Sequence, residues 1–349
     1  MIRCLGFVVL VGVMIFSSFR GPFKTCQESI LVWAEELSAY AHAMAAYHDR
    51  RFEEALSYAK QAVRESPDHP DAYVLLGELY YLRQDLDKAK ESWERALKLA
   101  PSRADVRKQL EKLGWEEPIE NGLSRNDTYP FVVRFAEGQG SIDLGSLRNL
   151  LRNTYRVVGQ QFQLFPEYPI AVILYPEADF QKVKGLSHQV AGLYDGKIRL
   201  PLRKSGPGTS NYAQIERVLR HEYTHALVYD LSKGRCPLWL NEGVAVLQEA
   251  QVYAPNVELA LKTIQEGKAL SWQQLFQKES YEQDKLELYY GHAYLITQYL
   301  VKRWGWTEMV GLLKRFGQGY PLADAIRAEY KTDLVTLEKE WLAWVKRTY

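Results

Sequence analysis

The sequence predicts an α+β protein in which N-terminal helical hairpins are followed by a small mixed sheet with an edge strand and then by an all-helical C-terminal lobe. Three observations carry this reading. A shift of 34 residues superimposes 37–70 on 71–104, and both copies have helical spacing. Two short β-branched runs, "FVVRFA" and "IAVILY", flank the helical pattern "LGSLRNLLRNTYRVVGQQF". From Tyr212 onward almost every segment reads as helix, with breaks near "SKGRCP", "YAPN", "FGQGYP" and "EYKTD".

The composition is that of a packed protein with a sizeable core: of 349 residues, 47% are apolar and 25% charged. Forty-four basic against 43 acidic residues leave a formal charge of +1, with no long run of one sign. That balance argues against nucleic acid as a partner. Residues 1–22 have the layout of a signal peptide or signal anchor, with Arg3, an apolar run from Cys4 to Phe16, and then Ser17 and Ser18. The run is shorter than the roughly 20 residues of a spanning helix, which favours cleavage. Phe16 and Phe19 fit a small-x-small cleavage site poorly, which keeps the anchor open. Either way the chain is expected to be exported, periplasmic or secreted, and to meet a membrane only through an uncleaved N-terminal segment. Cys26 lacks the leucine and small residues that precede a lipid-modified cysteine, and with Cys236 it is expected to be a free or buried thiol.

Within the repeat, Tyr47 aligns with Tyr81, Phe52 with Leu86, Ala55 with Ala89, Ala62 with Ala96 and Pro67 with Pro101, and Gly77 falls where paired helices approach closely. These positions resemble the tetratricopeptide (TPR) pattern. The resemblance implies helical hairpins over 27–116, capped by a helix at 103–115. A half-covered apolar face must stack on something. It serves either to pack and orient the rest of the chain or to form a groove for a peptide or protein partner. "EEPIENGLSRNDTYP" has turn residues and no periodicity, so 117–127 is expected to be a linker and 128–349 a second domain. There, "VAGLYDGKIRLPL" reads as two strands joined at Asp195-Gly196, a dipeptide that tolerates the positive φ of a tight hairpin.

The chemistry lies in "LRHEYTHALVYD". On a helix that Asn211 is placed to cap, Ile215, Val218, Leu219, Ala226 and Tyr229 share one side, and Glu222 falls within that stripe. His221 and His225, four apart, lie side by side along its edge. Buried ionisable groups cost several kcal/mol unless paired or metal-bound. Two imidazoles at this spacing can chelate one zinc ion from a single turn, with the glutamate beside the place of a bound water. The plainer alternative is two histidines satisfied within a core. A third ligand is offered by Glu242, separated from His225 by sixteen residues and set among Leu238, Trp239, Leu240, Val244 and Val246 in "PLWLNEGVAVLQEA".

"HEYTHAL" followed by "PLWLNEGVA" resembles the gluzincin metallopeptidases, the peptidase-MA-like group related to thermolysin and the zinc aminopeptidases. The resemblance implies one Zn2+ held by His221, His225 and Glu242, with Glu222 as general base and a peptide or protein as substrate. It also places Tyr290 of "LYYGHAYLITQYLVKRWG" as donor to the oxyanion, with Tyr289 and His292 as substitutes. An edge strand within "AGLYDGKIRLPL" would run beside an extended substrate. The Gly-x-Met-Glu-Asn motif of the aminopeptidase branch is absent from the sequence, which favours an endopeptidase. His42, His48 and His69 are expected as surface or packing residues, and His188 is not assigned to the site. The competing function is TPR-mediated binding or assembly on a zinc-binding but non-proteolytic fold.

Overall fold

The computed structural model describes residues 39–137, 143–183, 192–202, 212–276 and 285–349. The N-terminal segment, Asn211 and His188 lie outside them. Among the described residues no helix is long and apolar enough to cross a membrane.

Helix α1 (39–48) and helices α2 (Phe52–Glu65), α3 (Pro70–Leu82) and α4 (Leu86–Leu99) form the two hairpins. The aligned repeat positions are structural: Phe52, Leu86, Ala55, Ala89, Ala62 and Ala96 are all buried. Gly77 is where α3 meets α4, since a Cβ there would lie 2.4 Å from Cδ1 of the buried Trp93. His69 proves to be an N-cap, its Nδ1 accepting from the Ala72 N–H at 3.2 Å.

Helix α5 (Ala104–Glu120) follows, and only three residues separate it from β1 (Ser124–Thr128). The stretch expected as a linker is therefore mostly regular structure. Pro118 sits inside α5, where it has no N–H to give to the helix. Glu116 and Glu120, buried and ion-paired, fasten the last turns against the sheet. That tertiary pairing outweighs the local breaker signal.

The five strands are β1, β2 (Phe131–Phe135), β3 (Ile170–Pro176), β4 (Leu193–Tyr194) and β5 (Ile198–Leu202), in the order β1-β2-β3-β5-β4. β2, β3 and β5 are parallel, and β1 and β4 are antiparallel edges, so the sheet is mixed as expected. Helix α6 (Leu144–Phe162) crosses from β2 to β3, and the short α7 (Glu177–Phe180) follows β3. Gly196 supplies the positive φ of the β4–β5 turn, at 97°.

Helix α8 (Tyr212–Ser232) lies against the sheet, followed by α9 (Leu238–Glu249), α10 (Glu258–Gln265), α11 (Trp272–Phe276), α12 (Leu286–Trp304), α13 (Trp306–Gly317), α14 (Leu322–Tyr330) and α15 (Leu334–Thr348). α8 is buried over far more than one stripe, because the sheet, α6, α9 and α13 all pack on it. Tyr229 departs from the expected core: it is 49% exposed. Its ring stacks under Arg50, whose guanidinium lies 4.8 Å from the ring centre.

Candidate metal centre and its cleft

The site forms where α8, α9 and α12 meet the edge strand β4. His221 and His225 stand one turn apart on α8 with ring centres 4.8 Å apart. Glu242, in the second turn of α9, brings Oε2 to 3.6 Å from His221 Nε2 and 3.8 Å from His225 Nε2. The ligand atoms of these three residues all lie within 4.8 Å of one another. Ligands about 2.0–2.1 Å from a tetrahedral zinc stand about 3.3 Å apart, and the Glu242 carboxylate is within about half an ångström of that separation from each imidazole nitrogen.

Each imidazole is also held from behind. His221 Nδ1 is 3.1 Å from Glu249 Oε2, and His225 Nδ1 is 3.0 Å from Asn241 Oδ1. An acceptor at Nδ1 fixes the tautomer that leaves the Nε2 lone pair free for a metal. Glu249 is in turn 3.4 Å from Arg217. Neither Glu249 nor Asn241 was foreseen. The signal was there in part, since "NEG…QE" puts Asn241 beside the ligand glutamate and Glu249 two turns later on the same helix.

Three carboxylates, of Glu222, Glu242 and Glu249, surround two imidazoles, and the proton affinities show a site short of positive charge. Burial would lower the His221 pKa, but hydrogen bonding to Glu242 and Glu249 outweighs it and pushes it up to about 10. His225 is lowered by burial. Glu242 stays below the usual carboxylate range despite burial, because His221 and His225 face it. A divalent cation would answer the same deficit, so donor chemistry, geometry and charge all fit zinc.

Glu222 is only 5% exposed, and burial lifts its carboxyl to about 7. The backbone N–H of Tyr194 donates to it, and a Cβ at Gly192 would lie 2.8 Å from its Oε1. The edge strand thus lies directly over the carboxylate. Only a residue without a side chain fits there.

Tyr290, in the first turns of α12, lines the same cleft as His221, Glu222, His225 and Glu242. Burial and the carboxylates of Glu242, Glu222 and Glu249 raise its phenol pKa. The two substitutes lie elsewhere. Tyr289 is buried in the core. His292 is buried too, with Nδ1 at 2.9 Å from the Leu288 carbonyl and Nε2 accepting from the Leu270 N–H at 3.4 Å. Cys236 borders the cleft without joining the donor group, and burial raises its thiol well above the ordinary value.

Comparison with known families matches residues 204–347 to the Peptidase MA superfamily and residues 46–113 to the tetratricopeptide repeat. The chain carries a Peptidase MA domain behind TPR repeats. Among solved structures it is similar to an M1 zinc metallopeptidase mutant from Deinococcus radiodurans, at 15% identity and a TM-score of 0.36. That likeness covers 63% of this chain and 50% of the other, so the chain spans about half the length of that structure. No curated protein matches.

Within the Peptidase MA domain the glycine after Glu242 has a clear physical task. A Cβ at Gly243 would come within 2.3 Å of Thr297 Oγ1 and 2.5 Å of the Ala293 carbonyl, so only glycine lets α9 lie this close to α12. This contact sets Glu242 and Tyr290 across one cleft. The repeats complete its other wall: Tyr47, Arg50, Glu78 and Lys112 line the same cavity, of about 650 Å³, as His221, His225 and Glu242.

Proposed function

We propose that the protein is an exported zinc-dependent endopeptidase. One observation carries the peptidase reading: two imidazole Nε2 atoms and a carboxylate converge beside a buried glutamate and a tyrosine in one open cleft. The matched Peptidase MA superfamily supports it. The unit that performs the reaction is taken to include the sheet as well as the helices after Tyr212, because β4 covers the proposed base.

His221, His225 and Glu242 would hold one zinc ion, which supplies Lewis acidity and lowers the pKa of a bound water. Glu222, kept out of bulk water, accepts the proton of the attacking water and passes it to the leaving amine. Tyr290 donates its phenolic hydrogen to the oxygen that gains charge at the scissile carbonyl. Glu249 and Asn241 keep the imidazoles oriented throughout. As an edge strand, β4 would offer main-chain groups other than the Tyr194 N–H to an extended substrate.

Endopeptidase action is supported by the absence of the aminopeptidase motif from the sequence, and export by the apolar run at residues 4–16. Metal analysis and hydrolysis of a peptide library test the chemistry together. Wild-type protein is expected to carry one zinc per chain, and Glu222→Gln to keep the zinc while cleavage falls by about 10³-fold. His221→Ala should lose both. An unchanged rate in Glu222→Gln would remove the assignment. Peptides blocked at both ends should be cut as well as free ones, and N-terminal sequencing of protein from the native host decides between cleaved signal and anchor.

A further inference from the structure

The cleft is not walled by the Peptidase MA domain alone, and its second wall carries a distinctive charge pattern. On the repeat side it presents Tyr47 from α1, Arg50 from the turn after it, Glu78 from α3 and Lys112 from α5. Tyr194 of β4 and Tyr229 of α8 line the same cleft.

Both cations of the wall are already matched. Arg50 Nε is 2.8 Å from Asp230 Oδ1 and its guanidinium lies over the rings of Phe52, Tyr168 and Tyr229. Lys112 Nζ is 2.7 Å from Asp195 Oδ2. Glu78 differs, since it makes no hydrogen bond or ion pair with any described residue. It is half-buried, and burial lifts its carboxyl to about 7, outweighing the charge of Lys112, while Asp105 adds to the rise. Tyr47 feels the same carboxylate, which with burial raises its phenol to about 12. A carboxylate beside a tyrosine, facing a cleft and with no direct ion-pair partner among the described residues because Lys112 is paired to Asp195, is a receptor for a cation.

We propose that Glu78 of the TPR wall is a specificity subsite that accepts a lysine or arginine side chain of the peptide being cleaved, at a fixed register from the scissile bond. The inference rests on the peptidase reading for its substrate, since a peptide lying along β4 toward the zinc ligands must pass this wall. An incoming ammonium or guanidinium supplies a direct counter-charge for Glu78, and Tyr47 beside it offers an aromatic surface to the alkyl stem. The repeats then act as part of the substrate site of their own chain, and selection resides in a segment outside residues 204–347.

The test uses the full chain, zinc-loaded and carrying Glu222→Gln, so that peptides bind without being consumed. Dye-labelled peptides of alanine and serine carry one lysine, norleucine or glutamate at each position in turn, and anisotropy titrations report Kd. Lysine at one register is expected to bind about tenfold more tightly than norleucine there. Adding Glu78→Gln should erase that preference, and Glu78→Lys should transfer it to glutamate, with zinc content and melting temperature unchanged. A lysine preference that survives Glu78→Gln overturns the proposal, as does equal affinity for all three side chains or no saturable binding by any peptide. Turnover of the same peptides by protein with Glu222 intact is read separately. Register-specific binding without turnover would remove the peptidase reading and leave the cation subsite standing.

Discussion

The two histidines of the site are asymmetric. His221 has a carboxylate behind it, Glu249, while His225 has the neutral amide oxygen of Asn241. A carboxylate makes the imidazole a stronger donor than an amide does, so the two supports should contribute unequally to metal affinity. Glu249→Gln is expected to weaken zinc binding by about 10–100-fold, with Asn241→Ala nearer the lower end of that range. Competition against a calibrated chelator measures both. Equal losses would mean that the Nδ1 partners only orient the rings.

At the scale of elements, the site depends on how closely α9 lies against α12 and how β4 crosses α8. Gly243→Ala places a methyl against Thr297 and the Ala293 carbonyl, which do not give way easily because both belong to a buried helix. Overpacking of this kind costs about 1–3 kcal/mol, and it moves Glu242, the neighbouring residue. Chemical denaturation should show the lost stability, and zinc titration a weakened site. An alanine variant with unaltered zinc affinity would mean that α9 can shift without carrying its ligand.

The same elements mark the limit of what could be read from residues alone. The spacing in "HEYTHAL" and the carboxylate in "LNEG" disclosed the donor group, because helical periodicity fixes which side chains share a face. Tyr229 was misplaced because that periodicity cannot say which side of a helix another module will meet. Glu249 was legible only as a carboxylate two turns after Glu242, since its contact with His221 depends on the angle between two helices. Tyr290 could not be separated from Tyr289 and His292 by pattern, as three adjacent polar rings on one helix all look eligible. Packing separates them, sending two into the interior and one to the cleft.

For the molecule as a whole, the decisive feature is a buried ionic knot that fastens the repeats to the sheet. Lys197 Nζ lies 3.0 Å from Glu116 and 2.8 Å from Glu120, and Arg199 reaches the same two carboxylates at 2.6 and 2.7 Å. Tyr81 of α3 donates to Glu116 at 2.7 Å, and Tyr175 of β3 donates to Glu120. In the sequence Lys197 and Arg199 alternate like a solvated strand face, yet both are fully buried, because α5 brings a matching pair of glutamates one turn apart. Two cations against two carboxylates leave the knot neutral. Such a knot holds one geometry closely but tolerates the loss of a member poorly. It is what would keep the repeat wall in register with the cleft.

Its ionisation gives a signed pH dependence. Glu120 is buried, yet Lys197 and Arg199 hold its carboxyl below the ordinary range, and Arg199 and Lys112 do the same for Asp195. A group whose folded pKa is depressed stabilises the protein above its unfolded value, about 4, and that contribution is lost as pH falls through the folded value. Glu120→Gln should therefore cost about 3–5 kcal/mol at pH 7, where it leaves Lys197 and Arg199 short of a counter-charge. The gap to wild type should narrow progressively below about pH 4, as the wild-type carboxyl takes up its proton. Denaturant melts of both proteins at matched zinc content, taken from pH 7 to 3, measure that gap with metal release cancelled. A gap that stays constant across the range would mean that Glu120 is neutral in the fold, and that the repeats are held to the sheet by packing rather than by charge.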